Sequence, residues 1–241
     1  MDSTIRFGSR AKAYAAFRPS YPPEAIDAAL RDLGDPHELT VADVGAGTGI
    51  SARLFAERGA AVIAIEPNAR MRAEAERHPR VRWQDGTAES TGLSDASVDA
   101  GVACQAFHWF ATPAAMREFR RVARRRAALL QYERDENDPF TAAYGNVVRA
   151  YATDDTEVLR RRALATFAEF PDARVARATF QSRQQLDLHG VLGRAASSSY
   201  LPASGAAADS LRHDLETLFH RYQRGGSVEL VTVTFVLTAD W

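Results

Sequence analysis

Short apolar segments alternate with helical patterns over residues 37–136, and this alternation constrains the fold more than any other feature of the sequence. Consecutive parallel strands need a long crossover connection between them, usually a helix. The rhythm therefore predicts a parallel sheet that is covered by helices on both faces. The predicted strands of this part are Thr40–Val44, Ala60–Ile65, Val81–Gln84, Val98–Ala103 and Ala127–Glu133.

Beyond residue 136 the pattern changes to helices interspersed with two late strands, Val175–Leu186 and Val228–Thr238. Helices are predicted for Pro139–Thr153, Thr156–Phe167, a segment from Asp187 and Ala206–Arg224. In the last of these, apolar residues recur at the spacing of one helix face, at Leu211, Leu215, Leu218 and Phe219.

We predict one α/β domain with a doubly wound, mostly parallel seven-stranded sheet and a helical lid insertion before the last strands. Residues 1–36 are expected to form N-terminal cap helices, and residues 37–136 the cofactor-binding core. Residues 137–227 would form the helical insertion with one late strand, a substrate lid, and residues 228–241 the final strand.

The charge balance excludes several classes of function. The chain has 30 Lys and Arg residues against 31 Asp and Glu residues, with a formal net charge of -1, which argues against a general nucleic-acid or membrane-surface binder. No stretch is long and apolar enough to span a bilayer, and Met1–Thr4 does not resemble a secretory signal, so a cytoplasmic location is expected. A single cysteine, Cys104, excludes an internal disulfide and a cysteine-based metal cluster, and no metal is expected.

A glycine-rich segment, Asp43–Gly49, lies where the first predicted strand turns into a helix. Glycines at alternate positions let the backbone turn sharply and approach a ligand closely. A dinucleotide fingerprint would need glycine where Ile50 stands, and a P-loop would need a lysine, whereas Lys12 is the only lysine of the chain. Asp43 would repel a phosphate and suits a ligand with positive charge, such as S-adenosylmethionine.

The second predicted strand ends at an acid, Glu66, 23 residues after Asp43. An acid at this place can accept hydrogen bonds from ribose hydroxyls. A glycine cluster alone is equally explained by a tight turn, but the two acids around it favour a nucleoside-type cofactor.

Three motifs together, Asp43–Gly49, Ile65–Met71 and Gly86–Glu89, resemble those of class I S-adenosylmethionine-dependent methyltransferases. Within that class the chain is similar to small-molecule methyltransferases of the type 11 and trans-aconitate-methyltransferase kind. Two further segments, Tyr14–Pro22 and Gln105–Phe110, add to the likeness, which covers Tyr14 to about Phe110 and implies a Rossmann-like methyltransferase fold.

The resemblance implies the residues that hold the cofactor. Glu66 and Pro67 would lie at the ribose, and Met71 would pack on the adenine. Many relatives carry an acid where Thr87 stands, so Glu89 or Asp85 would substitute at the adenine amino group. Arg18 would pair with the cofactor's carboxylate or an acidic substrate, although an arginine–aromatic surface contact explains it too. The remaining implied cofactor contacts are Tyr14, Asp43, Gly45, Ala46, Gly47, Thr87, Ala88 and Gln105.

Three consecutive residues, Phe107, His108 and Trp109, follow the fourth predicted strand and are placed to border the transferred methyl group. Their aromatic faces would stabilise a sulfonium by cation–π contacts, although packing at a strand end explains Phe107 and Trp109 equally well. His108 is the candidate catalytic residue, either as a general base or, as we favour, as a hydrogen-bonding wall residue.

On the substrate side we expect Tyr21 and Tyr200, the latter because Ser197–Pro202 resembles a segment of relatives that faces the acceptor; a plain loop explains it nearly as well. The predicted function is O- or N-methylation of a small molecule, such as a carboxylate or a secondary metabolite, by a monomer or homodimer. One alternative is an RNA methyltransferase that uses the arginine cluster Arg117–Arg126, which we assign instead to the solvated face and C-terminal turn of a helix. Another is a non-catalytic cofactor-binding accessory protein.

Overall fold

A computed structural model describes Phe17 and residues 20–241, so that Tyr14 and Arg18 lie outside the described residues. The helices are α1 (Pro23–Leu30), α2 (Ile50–Glu57), α3 (Ala69–Ala73), α4 (Pro113–Val122), α5 (Pro139–Ala150), α6 (Thr156–Ala168), α7 (Leu188–Ala196) and α8 (Ala206–Tyr222). The strands are β1 (Thr40–Val44), β2 (Ala61–Ile65), β3 (Val81–Gln84), β4 (Val98–Cys104), β5 (Ala123–Arg134), β6 (Arg174–Leu186) and β7 (Val228–Asp240). Short 3-10 helices cover Pro36–Glu38 and Phe107–Trp109.

The seven strands form one sheet in the order β3-β2-β1-β4-β5-β7-β6. Strands β1 to β5 pair in parallel, whereas β7 is antiparallel to both of its neighbours. This confirms the predicted doubly wound, mostly parallel seven-stranded sheet. The strand order reverses between β1 and β4, and in open α/β sheets ligands bind beyond the carboxyl ends of the strands at such a reversal.

Helices cover both faces of the central strands of the sheet, whereas the edge strand β6 is largely exposed. Ile26 of α1 and Phe55 of α2 pack in one core cluster with residues of β1 and β2. On the opposite face Phe119 of α4 and Phe167 of α6 belong to a second cluster.

The helices that follow β5 have a core of their own, to which α5, α7 and α8 contribute. The four apolar residues predicted to share one face of α8 are all buried in it, as the period of 3.6 requires. None of the helices within the described residues combines the length and the apolar composition needed to cross a bilayer.

The arginine cluster differs from the prediction, because Arg124, Arg125 and Arg126 lie on β5 and not at the end of a helix. Arg126 is buried and donates to both carboxylate oxygens of Asp240, at 2.5 and 3.1 Å, and to the carbonyl of Ala29 at 3.0 Å. Strand pairing of β5 with β7 sets this geometry, since Arg126 and Asp240 are register partners. Arg126 and Arg125, which donates to the carbonyls of Asp32 and Leu33, anchor the end of α1 to the sheet.

Candidate active site

The glycine loop after β1 is held against the ends of two neighbouring strands. The N–H groups of Gly45 and Ala46 donate to the carbonyl of Ile65 at 2.8 and 3.0 Å. Gly45 has a φ of 72°, and a Cβ added there would lie 2.7 Å from the Cβ of Ala106. Only glycine suits both the left-handed backbone and this close approach to the segment after β4.

A cavity of about 240 Å³ opens at the carboxyl ends of β1, β2 and β4. It is bordered by the glycine loop, the segment after β2, the loop after β3 and the residues that follow β4. Ten of the predicted cofactor residues line it: Gly45, Ala46, Gly47, Glu66, Pro67, Met71, Thr87, Ala88, Glu89 and Gln105. Two of the predicted substrate residues, Tyr21 and Trp109, also line it.

Glu66 places a fixed carboxylate in the wall of this cavity. Its side chain is 9% exposed, Oε2 accepts from the N–H of Gly47 at 3.0 Å, and Oε1 accepts from the N–H of Asn68 at 2.8 Å. Burial raises the pKa of Glu66, and the two backbone hydrogen bonds and Arg72 oppose this effect. Each oxygen keeps a lone pair that can accept from a hydroxyl group.

Asp43 lies behind the wall and is not among the residues that line the cavity. It is fully buried, and its Oδ2 accepts from the hydroxyl of Ser51, a lining residue, at 2.6 Å. Its Oδ1 has no hydrogen-bond partner within the described residues. Burial raises the pKa of Asp43 to about 7, opposed by the Ser51 hydrogen bond and supported by the nearby charge of Glu66. Burial and the charge of Asp43 likewise raise the pKa of the Cys104 thiol, which is therefore neutral at physiological pH.

Gln105 and Thr48 add further polar atoms to the wall. Gln105 adopts a left-handed φ of 53°, which is uncommon for a residue other than glycine and is typical of functional sites. Its Nε2 donates to the carbonyl of Tyr132 at 2.9 Å, which fixes the amide orientation. The Oε1 of Gln105 and the hydroxyl of Thr48 are buried without a partner among the residues described, so both are available to a ligand.

At the predicted adenine edge, Glu89 lines the cavity and Asp85 does not. Asp85 accepts instead from the guanidinium of Arg72 at 3.3 Å. Of the two acids predicted as substitutes at the adenine amino group, only Glu89 borders this cavity.

The side chains of Phe107, His108 and Trp109 point in different directions, because these residues form a 3-10 helix, which turns by about 120° per residue. Trp109 faces the cavity. Phe107 is buried in the core and packs edge-to-face on Phe110, Phe119 and Phe167, so its position matches the packing alternative. His108 is also buried, lines neither described cavity, and has its ring centre 4.6 Å from that of Trp109.

A second cavity of about 260 Å³ adjoins the first, and Tyr132 of β5 lines both. Tyr200, predicted on the substrate side, lines this second cavity and not the first. The sequence did not indicate the arginines around it, which come from four separate elements: Arg134, Arg149, Arg160, Arg161 and Arg194. Their spacing along the chain contains no motif, so only the tertiary structure reveals the group.

The glycine loop after β1 and the acid at the end of β2, on which the resemblance to class I S-adenosylmethionine-dependent methyltransferases rests, lie together at one cavity of the sheet edge. Comparison with known proteins leads to the same class: residues 42–130 match the model of the family described as "Methyltransferase domain". Over this part the chain is similar to methyltransferases.

The chain is similar to an uncharacterised methyltransferase of Mycobacterium tuberculosis, with 39% identity over 153 residues, which cover 61% of this chain and 60% of that protein. An uncharacterised methyltransferase of Schizosaccharomyces pombe is 23% identical over 233 residues, 94% of this chain and 92% of the other. The chain thus spans about 60% of the length of the first of these relatives.

The fold also resembles solved structures. A proposed type II methyltransferase of Anaeromyxobacter dehalogenans matches with a TM-score of 0.68 and 23% identity, over 93% of this chain and 97% of that one. At 23% sequence identity this likeness shows a shared fold and nothing about the activity.

Proposed function

We propose that the protein transfers a methyl group from S-adenosylmethionine to a small-molecule acceptor. The observation that carries the proposal is the cavity at the strand-order reversal, where the Glu66 carboxylate, the glycine loop and the orphaned oxygen of Gln105 meet. Buried acceptor oxygens without partners favour a ligand that brings hydrogen-bond donors, and the cofactor brings an ammonium group and two ribose hydroxyls.

In this proposal the lining residues divide by chemistry. Glu66 accepts from the ribose hydroxyls with its free lone pairs, while its bonds to the N–H groups of Gly47 and Asn68 hold it in place. Met71 and Ala88 supply apolar contact for the adenine, with Thr87 and Glu89 at its edge. Gln105 and Thr48 face the methionine part of the cofactor. Asp43 is hydrogen-bonded to the lining residue Ser51, and from behind Ser51 its charge stabilises the ammonium group of the cofactor.

When bound, the cofactor would supply a methyl group activated by its cationic sulfonium, whose carbon–sulfur bond breaks as the nucleophilic atom of the acceptor bonds to the methyl carbon in line and S-adenosylhomocysteine leaves. The residues of the chain align the acceptor and exclude water. Trp109 and Tyr21 supply aromatic walls to the cavity, and we assign His108 a positioning role behind Trp109, since their rings are in contact and His108 lines neither cavity. The acceptor atom is an oxygen or a nitrogen in this proposal.

Calorimetric titration of the protein with S-adenosylhomocysteine, the product form of the cofactor, tests the binding half of the proposal. Glu66→Gln is expected to weaken binding by about 10- to 100-fold, because it removes charge-assisted hydrogen bonds to the ribose. Glu74→Gln, which makes the same change at an exposed position of the chain, is the matched control. Equal affinities of the two variants would contradict the assignment of Glu66.

Incubation with methyl-labelled S-adenosylmethionine and a metabolite extract, followed by mass spectrometry, tests the transfer half. A labelled small molecule that is absent with heat-treated protein is expected. Tight binding of the cofactor without any labelled product would favour an accessory protein that binds the cofactor and does not catalyse transfer.

A further inference from the structure

The second cavity, which we call the arginine cavity, is built by strand β5 and by the helices inserted around β6. Tyr132, Glu133 and Arg134 come from the end of β5, next to the candidate cofactor cavity. Helices α5, α6 and α7 each add arginine to the lining. Because Tyr132 lines both cavities, a molecule in the arginine cavity would lie beside the cofactor.

Positive charge exceeds negative charge in this lining, with five arginines against three glutamates. Two of the three glutamates already form ion pairs: Glu157 pairs with Arg134, and Glu136 pairs with Arg149. Three arginines have no carboxylate within 4.0 Å among the described residues: Arg160, Arg161 and Arg194.

Of these three arginines, Arg194 gives the strongest indication of a bound ligand. It is 7% exposed, yet its Nε has no hydrogen-bond partner within the described part of the chain. Its guanidinium carbon lies 5.4 Å from the ring centre of Tyr132, the residue shared by the two cavities. A buried arginine whose charge is not paired is unfavourable unless an anion approaches it, so its position indicates a ligand.

Arg160 repeats this arrangement from α6. Its Nε is buried and also lacks a partner among the described residues, and its guanidinium carbon lies 5.9 Å from the ring centre of Tyr200. An aromatic ring below a guanidinium holds the planar group while its N–H edge stays available for bidentate bonds. The hydroxyl-bearing residues Ser198 and Thr232 complete the polar lining.

We propose that the arginine cavity binds an anionic group, a carboxylate or a phosphate, of the methyl acceptor, with Arg194 and Arg160 as its main partners. The inference rests on the proposed methyl transfer and adds the class of substrate to it. Planar guanidinium groups match the oxygens of both anions in pairs. A cationic amine would be repelled by the excess of arginine, and a neutral acceptor would leave Arg194 without a carboxylate partner among the described residues.

Calorimetric titration of the complex with S-adenosylhomocysteine tests the proposal, with citrate and inorganic phosphate as separate probes at constant ionic strength. We expect at least one of the two to bind, and the probe that binds more tightly identifies the kind of anion. Arg194→Gln and Arg160→Gln should each weaken that binding by about 10- to 100-fold. Arg212→Gln, at an exposed position of α8, should leave it unchanged. Binding of neither probe overturns the proposal, as does unchanged binding in both cavity variants.

A transfer assay on a metabolite extract separated by anion exchange gives a second readout. The fraction that accepts the labelled methyl group is expected to be retained on the resin, and the KM for it should rise in Arg194→Gln while the affinity for S-adenosylhomocysteine stays within about twofold. If Arg194→Gln does not fold, the same measurements on Arg160→Gln, at a half-buried position, test the proposal. An acceptor in the unretained fraction refutes the anion assignment alone, whereas failure of the wild-type protein to bind S-adenosylhomocysteine refutes the proposed function.

Discussion

Replacing Asp43 by asparagine isolates the effect of one buried carboxyl group on stability. Asp43 is fully buried, and its Oδ2 accepts from Ser51 at 2.6 Å, a bond that the oxygen of an asparagine amide can keep. In the cofactor-free protein burial raises the pKa of Asp43 from 3.8 to about 7. Asp43→Asn removes the ionisation with almost no change of shape.

The direction of the pH effect follows from proton binding in the two states. Between pH 3.8 and about 7 the folded protein holds a proton on Asp43 that the unfolded chain has lost. The free energy of unfolding therefore falls as the pH rises, by about 1.4 kcal/mol per pH unit and about 4 kcal/mol in total. This stabilisation is fully present below pH 3.8 and is lost at a pH above about 7.

Urea denaturation of the cofactor-free protein at several pH values between about 4 and 8, followed by circular dichroism, measures this contribution. Relative to the wild-type protein, Asp43→Asn should gain about 4 kcal/mol in the free energy of unfolding across that range. Glu74→Gln, a carboxyl-to-amide change at an exposed position, should leave the pH dependence of the wild-type protein almost unchanged. Parallel curves for the wild-type protein and Asp43→Asn would refute the reasoning, because Asp43 would then titrate alike in both states.

Two further predictions concern packing around the site. Gly45→Ala should lower the free energy of unfolding by about 2–4 kcal/mol in urea denaturation, because the new Cβ meets that of Ala106 at 2.7 Å on a left-handed backbone. Gly225→Ala adds a Cβ in open space at a left-handed φ of 59°, so an equal loss there would show that the contact is unimportant. Phe107→Ala should lower the same free energy by about 3–5 kcal/mol, whereas Trp109→Ala should mainly weaken binding of S-adenosylhomocysteine in calorimetry. A large loss of stability from Trp109→Ala with unchanged binding would reverse the roles assigned to them.

Most of the sheet could be predicted because its signals are local. The apolar strands and the helical spacing in α8 are each visible within one short segment. The end of the fourth helix could not be predicted in this way. Arg124–Arg126 form a strand because β5 gains backbone partners on β4 and β7, which are distant in sequence.

The candidate cofactor cavity was also largely predictable, since the residues involved follow the ends of β1, β2, β3 and β4. In a parallel sheet these ends meet at one edge, so motifs that are far apart in sequence come together. The directions of individual side chains were not predictable. Asp43 does not line the cavity, and of the three residues Phe107–Trp109 only Trp109 does.

By itself the sequence determined the type of sheet, the loop that turns after β1 and the two acids around it, because each depends on residue types within a few positions. Only the tertiary structure decided how Arg134, Arg149, Arg160, Arg161 and Arg194 are used. They belong to four elements, and the packing of α5 and α6 against β5 and β7 and of α7 against β6 and α8 brings them around one cavity. Local periodicity carries no information on such contacts, since they depend on how whole helices pack and not on the spacing of residues along the chain.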